Sequence, residues 1–402
     1  MAPPSQRKIG QMGVSTLQVA NPSMGTVTRA PQTTAATPAA AGVPFARLSR
    51  KGQIFGPQIA GQSYNSLWTP ILKPVGGYLR SLKLYVSQTG GTGTTQVATQ
   101  DAPFNVIQNL FFRDPFGQPI VQADGYSLYL INLYSGQSGA LGVGNDVTAM
   151  PSYISGAGGT SSNYSFKLEI PLELDSSGYC SLPDMNASSQ PQVQIQLNTV
   201  NTVFSTPPGG TPVINAQLDE PFWMAPVDNP QAAPADVGSS AQWSVVRAAA
   251  GVSPGAYTRV QLPRVGTYIH TLILVLRDAT NARVDAWPLQ DLTLWFDGVP
   301  VLMETLLERR DAMYTQFGVQ VAGTSYPPTR LPPTGVIVYT FRDSIQSFIS
   351  NGDTYDLLAP TTPATLLEVS GTFQSGTGPF TITTVVGELF PLGGIPYTHL
   401  AM

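Results

Sequence analysis

Residues Pro103 to Gly136 read PFNVIQNLFFRDPFGQPIVQADGYSLYLINLYSG, and residues Pro288 to Gly318 read PLQDLTLWFDGVPVLMETLLERRDAMYTQFG. Each opens on an apolar, aromatic-rich run that predicts a strand, Val106 to Phe112 in one and Leu292 to Phe296 in the other. Turn chemistry follows, Asp114-Pro115-Phe116-Gly117 and Asp297-Gly298, and then a short extended piece holding proline and Val or Ile. Each stretch ends on helical periodicity. Met303, Leu306, Leu307, Arg310, Met313, Tyr314 and Phe317 recur at three- and four-residue steps and predict a helix over Leu302 to Phe317. Tyr126, Leu130, Leu133 and Tyr134 do the same in the first stretch.

The flanks repeat in the same order. Val75 to Ser87, VGGYLRSLKLYVS, precedes the first stretch, and Val265 to Arg277, VGTYIHTLILVLR, precedes the second. Downstream, Tyr164 to Leu174 is answered by Gly335 to Ile345, and Pro191 to Val200 by Ala364 to Phe373. The period is far longer than the roughly 20 to 50 residues of a solenoid or propeller repeat, so the chain holds a domain duplication.

Short strands joined by turn residues, with one helix in each half, predict an all-β protein of two tandem eight-stranded jelly rolls, each with a short helix. A basic Pro/Thr/Ala-rich arm is expected over residues 1–50, the first jelly roll over 51–228, a linker over 229–241, the second jelly roll over 242–390 and a tail over 391–402. Strands are expected at Gln53 to Ile59, Leu67 to Leu72 and Val213 to Leu218, among others. Gly90 to Thr95 reads as a flexible loop without the Gly-Lys-Ser/Thr ending of a phosphate loop. Ser135 to Ser162 reads as an exposed loop and Tyr326 to Pro333 as a rigid one.

Only 11% of residues are charged, against about a quarter in an average globular protein, which suggests that neighbouring subunits cover much of the surface. The distribution is uneven. Arg7, Lys8, Arg29, Arg47, Arg50, Lys51, Lys73, Arg80 and Lys83 stand in the first hundred residues with no acid before Asp101; the other 302 residues carry 11 basic and 24 acidic side chains, or −13. A basic end on an acidic body suits phosphate-rich partners such as anionic lipid or nucleic acid. The lone Cys180 excludes an intrachain disulfide. No apolar run reaches the length of a membrane span, and MAPPSQRKIG carries no signal-peptide h-region, so synthesis in the cytoplasm is expected.

Catalytic constellations are missing. His270 lies within an apolar strand and reads as a core residue; His399 is near the last residue. Neither accompanies a nucleophile elbow, and one cysteine with two histidines builds no zinc set, so no enzyme activity, cofactor or metal is expected. Asp219-Glu220 and Glu173 with Asp175 are carboxylate pairs of the kind that glycoside hydrolysis uses. Glu304, Glu308, Arg309, Arg310 and Asp311 read as a solvated helix face. Asn163-Tyr-Ser165 and Asn186-Ala-Ser188 match the glycosylation acceptor pattern by coincidence, given no signal peptide. A β-sandwich carbohydrate-binding or adhesin protein is the alternative from another class.

Phe104 to Pro119 followed by Gly125 to Tyr134, within a duplicated β domain behind a basic arm, resembles the first jelly roll of the double jelly-roll major capsid proteins of tailless icosahedral viruses, particularly tectivirus-like bacteriophages with an internal membrane. The order of elements is similar over residues 52 to 390, while the arm departs from the Gln-rich helical start of the best-known members. The resemblance implies a homotrimer forming a pseudo-hexagonal capsomer in a virion shell. It also implies neighbouring capsomers and minor capsid, vertex and membrane proteins as partners, with no small-molecule substrate. The arm, through Arg7, Lys8, Arg29, Arg47, Arg50 and Lys51, would then face the internal membrane or the genome.

Overall fold

The computed structural model describes residues 45–93, 96–134, 152–153, 163–174, 178, 180–184, 190–227, 233–234, 239–247, 251–262, 267–317, 334–341, 359–361 and 365–391. The first half begins with a one-turn helix, α1 (Phe45–Leu48), and continues through β1 (Lys51–Ile54), β2 (Gln58–Gln62), β3 (Leu67–Trp68), β4 (Gly77–Leu79), β5 (Ser81–Thr92), β6 (Val97–Ala98), β7 (Ile107–Arg113) and β8 (Pro119–Ala123). Helix α2 (Gly125–Tyr134) follows, then β9 (Ser152–Tyr153), β10 (Tyr164–Pro171), β11 (Leu182–Asp184), β12 (Gln192–Leu197), α3 (Val200–Val203), β13 (Phe204–Thr206) and β14 (Gly209–Met224). The second half comprises β15 (Ser239–Arg247), β16 (Tyr257–Gln261), β17 (Tyr268–Arg277), β18 (Leu292–Phe296), β19 (Val299–Glu304), α4 (Leu306–Phe317), β20 (Val336–Thr340), β21 (Ala359–Pro360), β22 (Leu367–Thr372) and β23 (Thr381–Pro391).

Two sheets recur in each half. In the first, β14 carries β5 and β4 along one side and β2 and β1 along the other, with β10 beyond β5. The second sheet of that half runs β3-β12-β7-β8. The second half answers strand for strand: β15-β23-β17-β20 and β16-β22-β18-β19, with the same antiparallel pairings. The irregularities repeat too. The β7·β8 register shifts at Phe112/Arg113 and the β18·β19 register at Leu294/Trp295. Arg80 interrupts β4 and β5 where His270, its counterpart when Val75 is matched to Val265, interrupts the β17·β23 register.

The halves are joined through a sheet. Strand β8 lies parallel to β15, with Val121 opposite Trp243 and Ser244 opposite Gln122, so the second sheet of one half continues into the first sheet of the other. Buried apolar residues of both halves form one contiguous core. Strand β17 is buried at all ten positions, which accounts for its largely apolar sequence. Strands β10 and β12 face water on one side, and their sequences alternate accordingly.

Helix α2 begins where Asp124 accepts from the Ser127 backbone N–H and hydroxyl, at 2.8 and 2.9 Å. Its first residue must be Gly125, since a Cβ there would lie 1.9 Å from the Phe104 carbonyl oxygen. The helix expected from Leu302 begins instead at Leu306, because Val299 to Glu304 form a strand closed by the two-residue turn Asp297-Gly298, both at positive φ (49° and 79°). A capping box fixes that start: the Glu308 N–H donates to Thr305 Oγ1 at 3.2 Å and the Thr305 N–H to Glu308 Oε2 at 2.7 Å. The inward face of α4 is therefore Leu306, Arg309 and Met313, while Met303 and Leu307 are exposed. The two helices meet where the rings of Tyr134 and Phe317 cross edge to face, 5.1 Å apart.

Other boundaries shift for similar reasons. The Gly90 to Thr95 segment is not all loop: Gly91 and Thr92 pair with Gly210 and Gly209, which extends β5 and carries β14 well beyond Val213 to Leu218. The strand expected over Leu67 to Leu72 closes after Trp68, and Gln53 to Ile59 is split into β1 and β2. Ser239 to Ala241, expected in the linker, already pair with Leu389 to Pro391. The Tyr326 to Pro333 loop, most of Ser135 to Ser162, residues 392–402, His399 and Asn186-Ala-Ser188 lie outside the described residues.

Candidate assembly surfaces

The first described residues dock through an aromatic anchor. Phe45 inserts edge to face between Tyr78 and Trp223, at ring distances of 5.5 and 5.9 Å, and Ala233 packs against the same cluster. Trp223 donates its indole N–H to Glu173 at 3.1 Å, and Glu173 also accepts from Arg80, whose guanidinium covers the Trp223 ring. Lys51 sits over the same ring at 4.8 Å, its pKa lowered by burial and then by the Arg80 charge. Arg47 and Arg50 are exposed beside this anchor, whereas Lys51 is part of β1, paired opposite Trp223. Arg7, Lys8 and Arg29 lie outside the described residues. Sequence reading missed the anchor; its signal is a lone Phe45 amid Ala, Pro and Gly.

A second cluster ties the halves together. Asp101 accepts from Arg277 at 2.8 Å and from Arg283 Nε at 2.6 Å, and both guanidiniums lie over the ring of the buried Tyr126. Burial pushes the Tyr126 hydroxyl above its ordinary range. Beside it opens a cleft of about 650 Å³ lined by Gln108, Asn109, Gln122, Asn198 and Thr202, among others. Its carboxylates, Asp101 and Asp124, are both committed, one to two arginines and the other to the cap of α2.

Asp219 and Glu220 do not assemble an acid and base. Asp219 and Glu220 are adjacent on β14 and so face opposite ways. Asp219 accepts from Gln53 and Gln217, and Glu173 is held by Arg80 and Trp223; Asp175 lies outside the described residues. His270 is fully buried, its Nδ1 3.0 Å from the Thr271 hydroxyl and its ring edge to face with Trp243. Glu304 and Glu308 do not share a helix face: Glu304 ends β19 and contacts Arg309 at 3.5 Å, while Glu308 caps α4 and Arg310 pairs with Asp285. Asn163 accepts from the Gly91 N–H at 3.3 Å.

Glu220 predicts a pH effect. It is fully buried, its Oε1 accepts from the Lys73 N–H at 3.3 Å, and its Oε2 meets no donor among the described residues. Burial pushes its pKa up to about 7, opposed by the Lys73 N–H and charge and reinforced by Asp184 and Asp219. The folded protein thus keeps a proton that the unfolded chain releases near pH 4.5. Stability from this group is full below about pH 4.5 and is lost as pH rises towards 7, by on the order of 3 kcal/mol. Denaturant titrations across that window are expected to show this decline in the wild type and its absence in Glu220→Gln.

Exposed apolar side chains gather on one edge of the second half. Val299, Val301 and Met303 on β19 are 62%, 55% and 72% exposed, and Leu307 at the start of α4 is 76% exposed. On the outer face of the same sheet, Arg259 lies over Trp295 at 4.3 Å and pairs with Glu368, so this indole is no open platform for a sugar ring.

No protein-family model matches the sequence, and no curated protein does. Solved structures do share the fold. The STIV MCP matches with a TM-score of 0.58 at 12% identity, over 88% of this chain and 99% of that one. PBCV-1 VP54, fitted into a reconstruction of the virophage Sputnik, gives 0.59 at 10% identity over 85% and 93% of the two chains. The Faustovirus major capsid protein gives 0.53 at 9% identity over 85% and 90%. The fold of this chain is a double jelly roll.

Proposed function

We propose that this chain is a structural major capsid protein, a subunit that assembles with copies of itself into an icosahedral virion shell. The observation that carries the reading is the joining of two like halves side by side through one continuous sheet, in the fold that the STIV MCP and the Faustovirus major capsid protein share. Two similar units per chain, divided as 51–228 and 242–390, let three copies occupy the six positions of a hexagonal block, so that homotrimers tile a curved surface. Obligate contacts of that kind bury about 2,000 to 5,000 Å², in keeping with a surface so poor in charge. The buried, committed carboxylates support a structural rather than catalytic role.

The basic arm then faces the interior, to lipid phosphates of an internal membrane or to the genome of a bacteriophage-like virion, with minor capsid, vertex and membrane proteins as further partners. The chain is made in the host cytoplasm and resides in the virion. Arg47 and Arg50, exposed beside the Phe45 anchor, mark where the arm leaves the body. Each basic residue near an anionic surface contributes about 1 kcal/mol. Light scattering of the purified protein is expected to give three times the 42.7 kDa chain mass, or shell-sized particles; a monomer at every concentration would refute the reading. Deleting residues 2–44, which spares Phe45, is expected to leave trimers intact and to lower binding to anionic vesicles at least tenfold. Unchanged binding and shell assembly would remove the arm from this role.

A further inference from the structure

We propose that copies of this chain associate head to tail by parallel pairing of β19 of one copy with β1 of the next, repeating between molecules the β8·β15 contact made within one. The inference rests on the self-assembly reading and adds the contact and its register.

The duplication supplies the argument. Strand β8 and strand β19 occupy the same place: each is the outer strand of its hairpin, skips one residue at the same bulge, and runs into a helix. Likewise β1 and β15 both flank the long strand that pairs with β5 or β17. Inside the chain β8 meets β15. Its outward counterparts, β19 at the end of the second half and β1 at the start of the first, pair on one side only among the described residues.

Side chains mark the difference. Val121, which pairs with Trp243 of β15, and its neighbour Ile120 are 0% and 4% exposed, whereas Val301, at the place of Ile120, is 55% exposed. Val299, Met303 and Leu307 extend this apolar edge, and Phe55, 71% exposed, stands directly after β1. An open edge strand bearing apolar side chains is costly to leave uncovered. The occupant that the fold itself supplies is the β1 edge of a second copy. Because the two edges differ, the contact is heterologous and closes a ring or continues as a filament.

The register follows from paired residues. Asp219 opposite Lys83 and Phe222 opposite Leu79 match Val385 opposite Ile273 and Glu388 opposite Ile269. Gln53, opposite Pro221, therefore stands where Trp243 stands opposite Gly387. On the other edge Leu302, opposite Leu294, stands where Val121 stands opposite Phe112. The intramolecular pairs Val121 with Trp243 and Gln122 with Ser244 thus translate into Leu302 with Gln53 and Met303 with Ile54.

The test is cross-linking of the full chain carrying Met303→Cys and Ile54→Cys, with a short thiol cross-linker suited to strands about 4.8 Å apart. Peptide mapping is expected to find residue 303 joined to residue 54 of another copy, and no such link when Phe116→Cys replaces Ile54→Cys. A second variant, Val301→Asp with Met303→Asp, changes only exposed side chains; it is expected to keep the wild-type melting transition and lose at least nine-tenths of the assembled fraction. Assembly of the double cysteine variant without the 303–54 link, or full assembly of the double aspartate variant, would overturn this contact while leaving the capsid reading in place. A wild type that never associates would overturn both.

Discussion

Replacing Asp101 with alanine is expected to destabilise the protein by about 3 to 5 kcal/mol, the range for removing one partner of a buried ion pair. Its two oxygens hold two guanidiniums from the other half, Arg277 and Arg283, and all three side chains are 16% exposed or less. Without the carboxylate, two cations remain side by side over the ring of Tyr126, with their remaining bonds going to neutral carbonyl oxygens of Asn281, Gln100 and Thr334. Neutral acceptors do not offset that repulsion in a poorly solvated site. Asp101→Asn keeps the shape and isolates the charge, so it is expected to lose most of the same stability. Chemical denaturation of the three proteins decides the matter. A loss below about 1 kcal/mol would class the cluster with ordinary surface pairs.

Trp223→Ala is expected to cost about as much, 3 to 5 kcal/mol, for a different reason. The side chain is 2% exposed, and its ring is the surface on which Phe45, Lys51 and Arg80 rest. Removing it opens a cavity and takes away the indole donor to the buried Glu173. Phe45 also loses a wall of its site, so the anchor of the arm is expected to loosen together with the fold. Limited proteolysis then cuts between the arm and β1 faster in Trp223→Ala than in the wild type, whereas Trp223→Phe restores most of the protection. Equal cleavage of all three proteins would show that the arm is anchored elsewhere.

Much of this architecture was legible in the residues. Strand β18 has the bounds that its apolar run predicted, and α2 lies where Tyr126, Leu130 and Tyr134 placed it. Periodicity failed where two patterns overlap. Met303 fits a helical step from Leu306 and Leu307, yet it also fits the alternation of Val299 and Val301, and the hairpin turn at Asp297-Gly298 decides for the strand. Of the expected arm residues, Arg47 and Arg50 are exposed, while Lys51 belongs to β1 because a pairing partner for that segment arrives from Trp223, far along the chain.

The sequence by itself determined that this chain is two versions of one β unit, because burial periodicity and turn chemistry are local and survive divergence between the halves. It also determined that histidine and cysteine chemistry is scarce. Only the tertiary structure decided that the halves share one sheet through β8 and β15, that Asp101 clamps Arg277 and Arg283, and that Asp219 and Glu220 face apart. Those are long-range outcomes. A strand edge or a charge has no local signature of the partner that will satisfy it, and the choice is made when distant segments compete to bury apolar surface and pair their buried polar groups.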